Sequence, residues 1–121
     1  MSTEIDTKEN NAPVKARPVA ITPRVDILES DQEFLILADM PGVNPDSVSA
    51  NLDGDRLKIN GTQTEAGSPD GFRPLYFSRN FQVPDSVDAG GVQAELKKGV
   101  LWLHLPKSAR AQPRRIQVTS A

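Results

Sequence analysis

Apolar residues along this chain fall at every second position, in short runs broken by glycine- and proline-bearing turns. Val25 and Ile27 alternate with Arg24 and Asp26 in a short first run. Residues 33–40, Glu-Phe-Leu-Ile-Leu-Ala-Asp-Met, form a longer one that Pro41-Gly42 ends. It is apolar enough to predict a strand buried on both faces. Val48, Ala50 and Leu52 alternate with Ser49, Asn51 and Asp53 up to an Asp53-Gly54 turn, and residues 56–60 return as the second arm of a hairpin. Gly54 suits that tip because it takes φ > 0 at no steric cost. Residues 76–83 alternate and stop at Pro84. Val92, Ala94 and Leu96 make the next run, and Leu101, Leu103 and Leu105 the last. The pattern predicts seven short strands, no helix, and an all-β, antiparallel β-sandwich.

Both ends depart from this rhythm. Residues 1–23 carry three prolines, scattered charge and no aromatic residue, which predicts a flexible N-terminal arm. Within it Val19 and Ile21 stand two apart between Pro18 and Pro23, so an extended backbone points both side chains to one face. The sandwich should occupy residues 24–107, leaving residues 108–121 as a flexible tail whose apolar content is concentrated in Ile116 and Val118.

Composition narrows what such a chain does. Its 121 residues suffice for one domain with tails, and at 5% aromatics the core must be mostly aliphatic. The formal net charge of −2 offers no general attraction to nucleic acid or to an anionic membrane. Charge is nevertheless uneven. Residues 24–107 hold eight Lys/Arg against thirteen Asp/Glu, whereas the tail carries Arg110, Arg114 and Arg115 with no acid. An acidic body and a basic tail either favour weak, salt-sensitive contacts between copies or simply keep the tail soluble.

Several chemistries are disfavoured. Without cysteine there is no disulfide, thiolate nucleophile or Cys-ligated metal. His104 is the sole histidine and sits opposite Leu101, Leu103 and Leu105, the place of a surface residue rather than a zinc ligand. Asn51 to Asp55 is too short for a calcium loop, and no phosphate-cradling glycine motif occurs. No cofactor is expected. No apolar run nears the ~20 residues of a membrane span, and the first residues lack the order of a signal peptide, so a cytoplasmic location is the default.

Several local patterns together resemble the α-crystallin domain of the small heat-shock protein family. They are residues 38–43 (Ala-Asp-Met-Pro-Gly-Val), 44–48 (Asn-Pro-Asp-Ser-Val), 57–61 (Leu-Lys-Ile-Asn-Gly), 77–84 (Phe-Ser-Arg-Asn-Phe-Gln-Val-Pro) and 94–107 with its Gly99-Val100-Leu101 centre. The Ile116-Gln-Val118 tail completes them. The resemblance implies an immunoglobulin-like sandwich and an ATP-independent holdase. Such a protein assembles from dimers, binds partly unfolded clients and holds them until ATP-driven chaperones take over. It further implies that Ile116 and Val118 of one subunit dock in another's groove, lined by Val48, Ala50 and Leu52 on one side and by Val92, Ala94 and Leu96 on the other. Arg79 takes the family position at the dimer interface. Val19 and Ile21 share the tail's spacing, and are either a second motif for the same groove or an ordinary proline-rich linker.

The chain also departs from the family. Its arm lacks the usual Phe- and Trp-rich motifs, so smaller assemblies or dimers are expected. The loop between Gly61 and Tyr76 is short, and Pro74 argues against one unbroken strand running to Pro84. A strand-swapped and an edge-to-edge dimer therefore both stand open. Trp102 replaces a residue usually small or polar, either covering a dimer or client surface or packing beneath a loop. A β-sandwich co-chaperone adaptor is the alternative function, but such adaptors generally end in an acidic tail and lack the Ile-x-Val pair. An enzyme would need a nucleophile–base or carboxylate pair in a recognisable motif, and none is present.

Overall fold

The computed structural model describes residues 18–120, so most of the predicted arm lies outside the described residues. Eight strands stack as two four-stranded sheets. The strands are β1 (Val19–Ile21), β2 (Val25–Glu29), β3 (Glu33–Asp39), β4 (Ser49–Asp53), β5 (Arg56–Thr62), β6 (Leu75–Gln82), β7 (Gln93–Lys97) and β8 (Val100–Pro106). One sheet runs β1-β6-β5-β4 and the other β2-β3-β8-β7. The seven predicted strands are present and, among the described residues, no α-helix is.

The alternation sets which side chains the layers enclose. Ile36 and Ala38 of β3 face Leu103 and Leu101 of β8, while Leu57 and Ile59 of β5 enter from the opposite sheet. Phe77, Leu105, Met40, Val43 and Val83 complete the buried core. This core comes from the central strands. The edge strands β4 and β7 contribute only partly buried residues, an asymmetry on which the site depends.

Two expectations need amending. The run 33–40 was expected to be covered on both faces, but a two-layer sandwich has one inner face per sheet. Leu35 and Leu37 point outward and are half-buried, with Leu28 and Trp102 as their cross-strand neighbours. Residues 19–21 fall within the predicted arm, yet they form β1, which pairs in parallel with Leu75–Phe77 of β6. The flanking prolines hold this segment extended and β6 would otherwise have an unpaired edge, so three residues suffice for a ladder. The Val19 N–H donates to Pro74 O at 2.8 Å, and β6 begins immediately after that proline.

Two hairpins hold the register. The β4–β5 connection turns at Gly54, φ 61°, between the paired Asp53 and Arg56. The β7–β8 connection turns at Lys98 and Gly99, φ 49° and 77°, the doubly positive pattern of a tight hairpin matched to strand twist. A Cβ on Gly99 would also lie 3.3 Å from Pro41 Cα, so both backbone and space demand glycine there.

Candidate functional site: a groove between two sheet edges

The edge strands β4 and β7 lie at the same side of the sandwich, one from each sheet. Their inward residues repeat a single pattern, Val-x-Ala-x-Leu: Val48, Ala50 and Leu52 on one wall, Val92, Ala94 and Leu96 on the other. Register fixes the inward direction. Ala50 and Leu52 pair with the buried Ile59 and Leu57, and Ala94 and Leu96 pair with the buried Leu103 and Leu101. Five of the six wall residues are half-buried and Ala94 is exposed. Alanine at the centre of each wall leaves a depression between the larger Val and Leu. At the Leu52 end the groove opens into a cleft of about 150 Å³, also lined by Val83, Pro84 and Val87.

Each wall is launched by the same device, which the sequence reading did not single out. A single 3₁₀ turn precedes each strand, at Pro45–Ser47 and at Ala89–Gly91. Asn44 Oδ1 accepts from the Asp46 N–H at 3.0 Å, and Asp88 Oδ1 accepts from the Gly90 N–H at 3.1 Å. Val48 and Val92 then cap the two turns in extended backbone, each at the start of its own wall. Asn and Asp favour such starts because their short side chains satisfy the turn's free N–H groups. The first turn is also pinned to β5, since Ser47 Oγ accepts from the Thr62 N–H at 2.9 Å. Asn44-Pro-Asp-Ser and Asp88-Ala-Gly-Gly were the available signals.

Among the described residues the tail is held only near its start, where Ala111 is partly buried and Gln112 Nε2 donates to Lys107 O at 3.0 Å. Beyond Lys107 the chain turns at Ser108, whose N–H donates to Ser86 O, and then runs without regular structure. Ile116 and Val118 are 82% and 88% exposed, so nearly all of their side-chain surface remains available for burial elsewhere.

Arg79 stands on the opposite side of the molecule from the groove, on β6 and close to the β1–β2 crossover. It shares the inward face with Phe77 and Phe81 and pairs with Ile59. Its Nη1 donates to Pro23 O at 3.2 Å, and its guanidinium lies 5.3 Å from the Phe81 ring centroid. Val19 and Ile21 lie on this side too, on the outer edge of β6, with 38% of each exposed. They are thus on the far edge of the sheet whose other edge is the β4 wall. Ile27 and Leu28 of the adjacent edge strand β2 are 55% and 54% exposed.

His104 is half-exposed on the outer face, with Nδ1 3.0 Å from Glu33 Oε1. Trp102 occupies the same face, with the Lys97 ammonium 5.1 Å from its ring. Among the described residues no cluster of three metal-ligating side chains exists, and no helix is long and apolar enough to cross a membrane.

Fold and groove together define a two-layer antiparallel β-sandwich domain with an apolar slot between two of its edge strands. The family assignment is equally direct. Residues 26–119 match the model of the Hsp20/alpha crystallin family, and the chain belongs to that family of small heat-shock proteins. It is 37% identical to spore protein SP21 of Stigmatella aurantiaca over 112 residues, covering 86% of this chain and 66% of the relative. A chloroplastic heat shock 22 kDa protein of Chlamydomonas reinhardtii is 38% identical, covering 80% and 69% respectively. The chain thus spans about two thirds of the length of the curated relatives it matches. Among solved structures, a small heat-shock protein of Xylella fastidiosa, described as having a distinct high-order structure, superimposes with a TM-score of 0.65 at 39% identity. That match covers 83% of this chain and 98% of the other. HspA of Xanthomonas axonopodis gives 0.62 at 35% identity, over 72% and 94%.

Proposed function

We propose that this protein is an ATP-independent holdase that binds partly unfolded proteins, keeps them from aggregating under stress and passes them to ATP-driven chaperones. It assembles as a dimer, and dimers are linked when Ile116 and Val118 of one subunit enter the β4–β7 groove of another. The observation that carries this reading is the match between twin Val-x-Ala-x-Leu walls and two apolar knobs more than four-fifths exposed. A tail peptide lying extended along the groove puts both knobs on one side. Burying them contributes about 1.5–3 kcal/mol each, before the entropy of ordering the tail is subtracted. One docked tail is therefore weak and exchanges, whereas several docked together hold an assembly through effective concentration. Reversible linkage lets heat free the grooves, whose apolar walls then serve partly unfolded chains.

The dimer contact is placed on the other side, at Arg79 and the exposed β2 edge, so that both contacts form on one protomer without competing. Membership of a family of heat-shock chaperones supports a non-enzymatic role. The adaptor reading has less behind it, because the tail is basic and carries the Ile-x-Val pair.

The test compares the full chain with one lacking residues 114–121, in solution mass and in suppression of aggregation of a heated client. The truncated form should be smaller while still forming dimers. An unchanged mass would remove the tail as a linker, and failure of both forms to suppress aggregation would favour the adaptor.

A further inference from the structure

Ile116-Gln-Val118 is not the only segment built to that pattern. Val19-Ala-Ile21 also places two β-branched residues around one spacer, and an arginine lies just upstream of each, Arg17 and Arg115. A third, Val25-Asp-Ile27, is already part of β2; of the two that flank the sandwich, one is seated and the other is not. Val19–Ile21 lies as β1 on the outer edge of β6, paired in parallel with Leu75, Tyr76 and Phe77. Ile116 and Val118 stand in solvent. Beside the seat is a cleft of about 500 Å³, whose lining includes Ile21, Pro23, Pro41, Leu75, Phe77 and Val100. The edge of β6 thus provides both a backbone ladder and an apolar recess for a branched–x–branched segment.

We infer that this β6 edge is a second docking seat for the tail of another copy, and that β1 is the placeholder which covers it within the lone protomer. The inference rests on the reading of the tail as a linker. The two segments need the same ladder groups of Leu75–Phe77, so only one is seated at a time. β1 spans three residues and leaves 38% of Val19 and of Ile21 exposed, so its hold is limited. In dilute protein the tethered β1 wins through its high effective concentration, whereas in an assembly a neighbouring tail is also held close and the two exchange. β1 additionally keeps β6 from pairing edge to edge with another sheet.

The chain has no cysteine, so singly placed ones report cleanly. Because Ala20 pairs with Tyr76, a tail replacing β1 sets Gln117 opposite Tyr76. A Tyr76→Cys chain is mixed with a Gln117→Cys chain and treated with a short bismaleimide. This is done with β1 intact, with Val19→Asp plus Ile21→Asp, and with Val19→Pro, which removes the N–H that donates to Pro74 O. An Ala94→Cys chain mixed with the Gln117→Cys chain reports the β4–β7 groove in parallel. Disabling β1 should raise the 76–117 product about tenfold, with the 94–117 product retained. If 94–117 forms but 76–117 is absent or insensitive to β1, the second seat is refuted and the groove linkage stands. If neither forms, the tail is no linker at all. A dominant 76–76 product would show that the bared edge pairs with itself, which also overturns the inference.

Discussion

Single positions carry more constraint than their exposure suggests. Gly61 has ordinary extended backbone, and its constraint is space. A Cβ there would meet Val43 Cγ1 at 2.9 Å, Met40 Cε at 3.0 Å and Val48 Cγ2 at 3.2 Å. Gly61→Ala should cost about 1–3 kcal/mol of stability by overpacking, read as a lower denaturant midpoint with unchanged slope. Since Val48 is also a groove residue, the same change should weaken tail docking. Arg79 makes a second case. Its alternation with Phe77 and Phe81 was legible in the sequence, but the Pro23 carbonyl that receives its guanidinium comes from 56 residues away and was not. Arg79→Gly removes that hydrogen bond and a charge placed at the proposed dimer contact. The dimer dissociation constant measured by sedimentation should rise about tenfold, and client protection should fall with it. Unchanged dissociation would place the dimer contact elsewhere.

At the scale of elements, the strands that build the core announced themselves by alternation, because each buries one side against the other sheet. β1 did not. Val19-Ala-Ile21 has too few residues for a period to be read, and what makes it a strand is the unpaired edge of β6, which no local pattern reveals. The six wall residues of the groove were legible as alternating runs, but their common launch from capped 3₁₀ turns was obscured by two unlike sequences serving one geometry. That geometry yields a sharp prediction. Ala94 is exposed at the centre of its wall, so Ala94→Phe fills the depression without entering the core. The variant should melt within a few degrees of the parent, yet behave in solution mass like the tail-truncated chain. A full-sized assembly in this variant would mean that the tail docks elsewhere.

For the molecule as a whole, charge separates as the backbone does. The body from residue 24 to 107 carries a net −5 and the last fourteen residues +3. Raising ionic strength from 0.1 M to 1 M shortens the screening length from about 10 to about 3 Å, so the electrostatic share of tail docking should largely vanish. The concentration at which linked assemblies fall apart to dimers should rise by up to about tenfold, as followed by sedimentation velocity. A midpoint indifferent to salt would assign the linkage to the two apolar knobs alone.

The sheet order β2-β3-β8-β7 also governs how the chain is made. Asp39 closes its ladder with Val100, so the hairpin bearing Phe34, Ile36 and Leu35 leaves the ribosome some sixty residues before the strand that pairs its open edge. At translation rates of about 5–20 residues per second, that apolar hairpin waits several seconds with one ladder edge unpaired. A newborn copy of this protein is for that interval the kind of substrate that, under the proposed function, its finished siblings would hold.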